Sequence, residues 1–586
     1  MRPLFLPWRP LALLLFIVAL AAPAASEGKK NPIYPHLKGK TIRSINIRVR
    51  DVFEERDLGF PYDTANALKI NTKDEVVRRE LLFKEGDQFD EFVLDESERN
   101  LRSLRYLRQI AIVPKQDGDM VDILVDVQDT WTLIPQLGFS SGTGRKKTSV
   151  GVLESNLLGY GKRLELAYSE DDSREQVEGV WEDNRLFGTK TDFTAGLFDR
   201  NDGEIALVSV KKPFRSLVEE YAWAVDNYYG DTIGRLFENG DERYIYRQEK
   251  IESGVRYTIR RGDPTHEIRR FTFGYDYQSD DFTQADLDDY EDLDLDPSDV
   301  SNDISQLASD RRFTGPVLGL QYIRPDFISM NYIDRFDRVE DYNLGREYSI
   351  NSFIAPKFLG SHRDSYIFSA NRSQGYRFSR DSFIRGEVGY ATRADEKGLS
   401  NSLARAEVKF YDVLGDKYWG ENFLGKHTLA AGFFLDYGDD LDKDREFLVG
   451  GDNVIRGYKA RTFTGDKRFG FNLEDRMHFI DDLYKLISIG GAVFFDAGGA
   501  TNDPLGELFT DNVYSNVGFG LRFAFPRSSG GQVLRIDIAF PLRDGPDDSG
   551  QFEPRLLISG GQLFGSRLRS ESFGTERASV DIGFDR

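Results

Sequence analysis

From Trp131 to Phe564, apolar and polar residues alternate in one short segment after another, each closed by Gly, Asn or Asp. Lys162 to Tyr168, Phe271 to Tyr277, Ala404 to Phe410, Phe471 to Phe479 and Val533 to Phe540 show the pattern plainly. A period of two gives a strand one apolar and one polar face. About 20 such segments can be marked, the least regular in 324–343. Their lengths lie near the nine to eleven residues that a tilted strand needs to cross a bilayer. Backbone groups in lipid must all be paired, so the strands are expected to close on themselves as a transmembrane antiparallel β-barrel. Glu154-Ser-Asn-Leu-Leu-Gly159 and Glu182-Asp-Asn-Arg-Leu-Phe-Gly188 echo each other and predict one kind of turn at the periplasmic end of successive hairpins. The acidic stretch Ser279 to Asp310 predicts a long extracellular loop.

Residues 38–130 read differently. Thr41 to Val49 alternates as a strand. Thr72-Lys-Asp-Glu75 has the form of a capping box ahead of a helix that Gly86 would stop. A second helix follows from Asp95, with Leu101, Leu104 and Leu107 expected on one face. Gln109 to Val113 and Val121 to Val127 alternate again around a Gln-Asp-Gly-Asp turn at 116–119. The predicted order is β-α-α-β-β in a small domain ahead of the barrel.

The first residues give the address. Arg2 and Arg9 flank a short basic start, Leu11 to Ala21 is an apolar run, and Ala22, Ala24, Ala25 and Ser26 suit cleavage. That is the form of a signal peptide, 1–26, and too short for a membrane anchor. Composition fits a barrel: 13% aromatic residues and 55 glycines stand beside a mean hydropathy of only −0.48, as expected when each strand shows apolar residues on one face alone. The absence of cysteine excludes disulfides and cysteine metal sites. A net charge of −21 argues against nucleic acid as a partner.

Signals for chemistry are weak. Asp292-x-Asp-x-Asp296 has Pro297 where a calcium loop needs Gly, and Asp440-x-Asp-x-Asp444 is followed by Arg445. Gly142 to Lys147 lacks P-loop spacing and reads as a hairpin loop. The five histidines are scattered, and no G-x-S-x-G elbow is present. No enzyme, cofactor or metal is expected.

Two sets of motifs resemble a known family. Arg78 to Asp87 (RRELLFKEGD) and Asn100 to Leu107 (NLRSLRYL) are similar to a POTRA domain. Gly450 to Tyr458 (GGDNVIRGY) resembles the signature of an inward-folded loop in the BamA/TamA superfamily of outer-membrane assembly and secretion barrels. In order behind it come Phe471 to Phe479, Val493 to Gly498, Val517 to Pro526, Leu534 to Leu542 and Arg555 to Phe564, each similar to a following strand of that family.

The resemblance implies sixteen strands, fewer than the alternation marks. The chain divides into a signal peptide (1–26), one POTRA-like periplasmic domain (38–130), an outer-membrane barrel (131–564) and a C-terminal tail (565–586), and the single POTRA and the tail depart from the family's pattern. It implies that Ile455, Arg456, Gly457 and Tyr458 enter the lumen and that Glu474 and Asp496 face Arg456. An arginine there needs carboxylates, and its planar fork can bridge two. Leu556, Ile558, Gly560 and Phe564 would form the closing-strand signal, with a weak seam near Pro135 to Ser140. The expected function is outer-membrane protein assembly or polypeptide translocation. The expected partners are the bilayer, an extended polypeptide taken up at a sheet edge and periplasmic accessory subunits. A dedicated two-partner secretion transporter, a passive porin-like channel and a soluble periplasmic binding protein are the alternatives.

Overall fold

The computed structural model describes residues 33–54, 59–140, 147–171, 174–336, 338–451, 454–529 and 533–560. The expected signal peptide, the expected tail, Phe564 and loop residues 141–146 lie outside them.

The N-terminal domain runs β1 (Thr41–Arg50), α1 (Tyr62–Leu68), α2 (Asp74–Glu80), α3 (Glu91–Ser103), β2 (Leu107–Asp117) and β3 (Met120–Asp129). Its sheet order is β1-β3-β2, with β1 and β3 parallel and β2 and β3 antiparallel. Helix α1 is absent from the sequence reading because it buries no residue and so shows no apolar stripe. The expected capping box does not form. The N-cap of α2 is Lys73, without a side-chain cap, and the Thr72 hydroxyl donates instead to Asp129 Oδ1 at 2.5 Å. Nor does Gly86 stop that helix, which ends at Glu80; Gly86 serves the turn beyond it with φ +92°. Leu101, Leu104 and Leu107 are all buried in one core, but α3 ends at Ser103, so Leu107 reaches that core from β2 and not from a shared helical face.

Beyond Trp131, twenty strands among the described residues follow one another around a single antiparallel sheet, from Leu133–Ser140 to Arg555–Gly560. The last lies beside the first. Twenty is the upper count that the alternation allowed and exceeds the sixteen that the resemblance implied. Successive strands pair in register along the sheet. Val150 and Val152, Phe273 and Tyr275, and Val517, Phe519 and Leu521 lie exposed at a spacing of two. Asp276, Glu474, Asp496, Arg522 and Asp537, of the opposite parity, are buried. The sheet is therefore apolar outside and polar inside, as a lipid-embedded barrel requires.

Strand connections alternate between the end that carries the N-terminal domain and the far end. At the far end the acidic segment is shorter than expected, because the strand Glu267–Gln284 runs into it. Its helix α4 (Leu287–Asp292) carries a capping box from Asp286 and Asp289, and Tyr290, Leu293 and Val300 pack on Ile233 and Ile245. Two other connections turn inward. Residues 440–466 enter from the far end around a small hairpin, Phe447–Val449 with Phe463–Gly465. Residues 324–346, where the alternation was least regular, form a hairpin of Phe327–Met330 with Glu340–Asn343 that enters from the domain end.

The two echoed turns are nearly identical in backbone. Each is a single 3-10 turn, with Leu158 and Phe187 both at φ 53°. Both serve to seat the N-terminal domain. Asn156 Nδ2 donates to Thr72 Oγ1 at 2.8 Å, and Arg185 Nε donates to the buried Glu80 at 2.6 Å. Gly159, at φ +78°, lies so close to the domain that a Cβ would stand 2.2 Å from the Asn71 carbonyl oxygen.

Candidate functional site: an inward loop held by a buried arginine

Residues 454–458 form the innermost part of the far-end loop. Val454 enters a slot made by two wall glycines, since a Cβ on Gly470 or Gly498 would lie 2.5 or 2.8 Å from its Cγ1. Ile455 and Tyr458 are fully buried beside Phe434, Val449 and Phe463. Gly457 is needed for close approach, with φ outside the left-handed region. A Cβ there would stand 2.7 Å from Asn516 Cβ, while the Gly457 N–H donates to Asn516 Oδ1 at 3.0 Å. The Tyr458 hydroxyl donates to the carbonyl of Arg543 at 3.0 Å.

Arg456 is 0% exposed. Its Nε and Nη2 donate to the two oxygens of Asp496, both at 2.8 Å, and Nη1 reaches Glu474 Oε1 at 2.8 Å. Its Cζ lies 3.3 Å from the centroid of the Phe494 ring. Asn472 and Asn516 each donate to Asp496 at 2.9 Å, which fixes the carboxylate that the guanidinium forks onto. The structure thus brings together Ile455, Arg456, Gly457, Tyr458, Glu474 and Asp496.

It adds residues that the sequence reading passed over. Asp537 accepts from Arg456 Nη1 at 3.1 Å. Arg522 bridges Asp537 and Glu474, Arg476 donates to Glu474 Oε2 at 3.0 Å, and Arg535 lies 3.8 Å from Asp537. Asp537 stood within a quoted motif, Leu534 to Leu542, where alternation puts it on the same face as Arg535 and Ala539. That parity was the available signal.

Three further anchors hold the loop. Asp436 is bridged by Arg405 and Arg468, and Arg468 Nη1 donates to the Leu448 carbonyl at 2.9 Å. Asp442 and Asp444 are neutralised by Arg311 and Arg393, so the acids that superficially suggest a calcium loop are ion-pair partners. Asp547 accepts from the Lys459 N–H at 2.7 Å and from Thr462 Oγ1 at 3.1 Å.

The closing-strand residues lie elsewhere. Leu556 is exposed and pairs with Ile538, Ile558 is half-buried and pairs with Ile536, and Gly560 ends the strand. Between them Leu557 is buried against Phe494 and Ala539, which links the last strand to the ring beneath Arg456.

Comparison with known proteins agrees with this architecture. Residues 156–564 match the Omp85 superfamily domain, and residues 69–129 match POTRA, the surface antigen variable number repeat. The outer membrane protein assembly factor BamA of Nitratidesulfovibrio vulgaris is 23% identical over 558 residues, 90% of this chain and 55% of that protein. The chain therefore spans about half the length of this curated relative. Among solved structures, BamA from Haemophilus ducreyi lacking POTRA domains 1–3 is 13% identical with a TM-score of 0.33, over 89% of this chain and 84% of that one. CdiB from Acinetobacter baumannii is 12% identical with a TM-score of 0.43, over 89% and 74%. With its barrel in the outer membrane and its single POTRA domain in the periplasm, the chain belongs to the Omp85 superfamily.

Proposed function

We propose that this non-enzymatic chain inserts polypeptides into the outer membrane or passes them across it. The POTRA domain receives an extended segment and the seam between the last and first strands is where the barrel acts on it. One observation carries this reading over a passive channel. The lumen is entered from both ends, by the locked 440–466 loop and by the 324–346 hairpin, with the POTRA domain seated across the periplasmic turns. A barrel filled in this way is a poor diffusion pore.

Uptake by strand addition has a place to occur, because β2 pairs with β3 alone among the described residues. The partners on this reading are the bilayer, an unfolded polypeptide and periplasmic accessory subunits. Depletion of the protein followed by outer-membrane proteomics tests it. Loss of many barrel proteins is the expected result, and loss of one exported polypeptide would identify a dedicated two-partner secretion transporter. An unchanged proteome together with steady, large conductance in planar bilayers would overturn the proposal in favour of a pore.

A further inference from the structure

The periplasmic hairpin 324–346 touches three things that otherwise lie apart. On its periplasmic side it holds the POTRA domain. Arg102 on α3 forks onto Asp341 at 2.9 and 3.1 Å, and the Arg99 guanidinium stacks 3.8 Å from the Phe327 ring. On its lumenal side it holds the lock. Arg476 Nη1 donates to the Ile333 carbonyl at 2.6 Å and to Asp334 Oδ1 at 3.1 Å, while Nε of the same arginine donates to Glu474, which pairs with Arg456. Laterally it crosses the barrel floor. Ile328, Met330, Ile333 and Leu344 pack on Phe383 and Tyr411, and Phe336 packs on Ala524 and Val533, on the third-last and second-last strands.

Charge makes this more than adjacency. Among the described residues, the ion pairs around Arg456 join four arginines, 456, 476, 522 and 535, to three wall carboxylates, Glu474, Asp496 and Asp537. Asp334 on the hairpin supplies the fourth. Withdrawing the hairpin would leave the lock with excess positive charge in a desolvated interior, which is costly. We propose that the 324–346 hairpin is a transmission element. Its position, set by the POTRA domain through Arg102 and Asp341, determines how firmly Arg456 holds the inward loop and how tightly the strands beside the seam are braced. A polypeptide that pulls the domain away from Asp341 would thereby loosen the lock. This last consequence rests on the proposed function, whereas the coupling itself does not.

Because the chain has no cysteine, Ala460→Cys in the inward loop gives a single label site on the extracellular side. The rate of its modification by an impermeant maleimide on whole cells reads the lock. Asp341→Asn and Arg102→Ala are each expected to raise that rate about twofold to thirtyfold, the range of coupling between distant sites. Glu80→Gln, which weakens a domain contact that bypasses the hairpin, is expected to leave it unchanged. Equal labelling in all variants would overturn the proposal, as would an equal rise with Glu80→Gln. Asp341→Asn preserves side-chain shape, so heat-modifiable gel mobility serves to confirm that the barrel is folded. Labelling needs no substrate, so a coupled lock with an unchanged proteome after depletion would refute the functional reading alone.

Discussion

Arg456 illustrates why one buried cation can decide a loop's position. Its guanidinium spends its donors on three carboxylates while an aromatic ring covers one face. Such a cluster need not add much net stability over an apolar equivalent, since desolvation offsets most of the Coulomb attraction. Removing one member is different, because the remaining charges stay buried without compensation. Arg456→Ala is expected to cost about 3–5 kcal/mol, as breaking a buried pair does. The sign would be an earlier loss of heat-modifiable mobility on warming and a lower surface yield. Arg456→Lys should recover little, since an ammonium cannot fork onto Asp496 and still reach Glu474; full recovery would show that charge alone suffices. Gly457→Ala should cost about 1–3 kcal/mol through the clash with Asn516, the usual range for overpacking. The same thermal assay reads it.

Among the elements, the inward loop has a pH dependence of its own. Burial raises the pKa of Glu446, next to the Phe447–Val449 strand, to about 7, against the opposing effects of the Phe237 N–H and of Arg243 and Arg461. In the unfolded chain this carboxyl has a pKa of about 4.5. Between those values the folded loop keeps a proton that the unfolded chain has lost, so docking weakens as pH rises from about 4.5 to 7. The loop of the parent protein is expected to become more protease-sensitive at pH 8 than at pH 5. Glu446→Gln should flatten that difference, and an unaltered difference in the variant would assign the effect elsewhere. Other elements show where local pattern fell short. Thr72 has the right spacing for a capping box, yet its hydroxyl serves Asp129 and Asn156 at the domain–barrel contact, a demand that no local sequence rule encodes. The Phe327–Met330 and Glu340–Asn343 strands are four residues each, too short for alternation to reveal.

Over the whole molecule, the inserts define what the lumen can do. Replacing residues 326–343 by a short turn removes the floor of the barrel together with the carboxylate of Asp334. The variant is expected to show larger and noisier conductance in planar bilayers than the parent chain. Equal conductance would mean that the POTRA domain or the 440–466 loop alone blocks passage. The number of strands is likewise a property of the whole closed sheet.

The sequence by itself determined the β-class and the order of a small POTRA-like domain ahead of a barrel, because alternation and short motifs are both local. It also marked the VIRGY loop and the acids at 474 and 496, through motifs in order along the chain. Tertiary structure alone decided that twenty strands among the described residues share one sheet, that Asp537, Arg522 and Asp334 join the charge cluster, and that the hairpin of Phe327–Met330 with Glu340–Asn343 folds inward. Those outcomes depend on which residues meet across long separations in sequence. A closed barrel sets such meetings through strand register and the space left in its lumen, neither of which is written in any one segment.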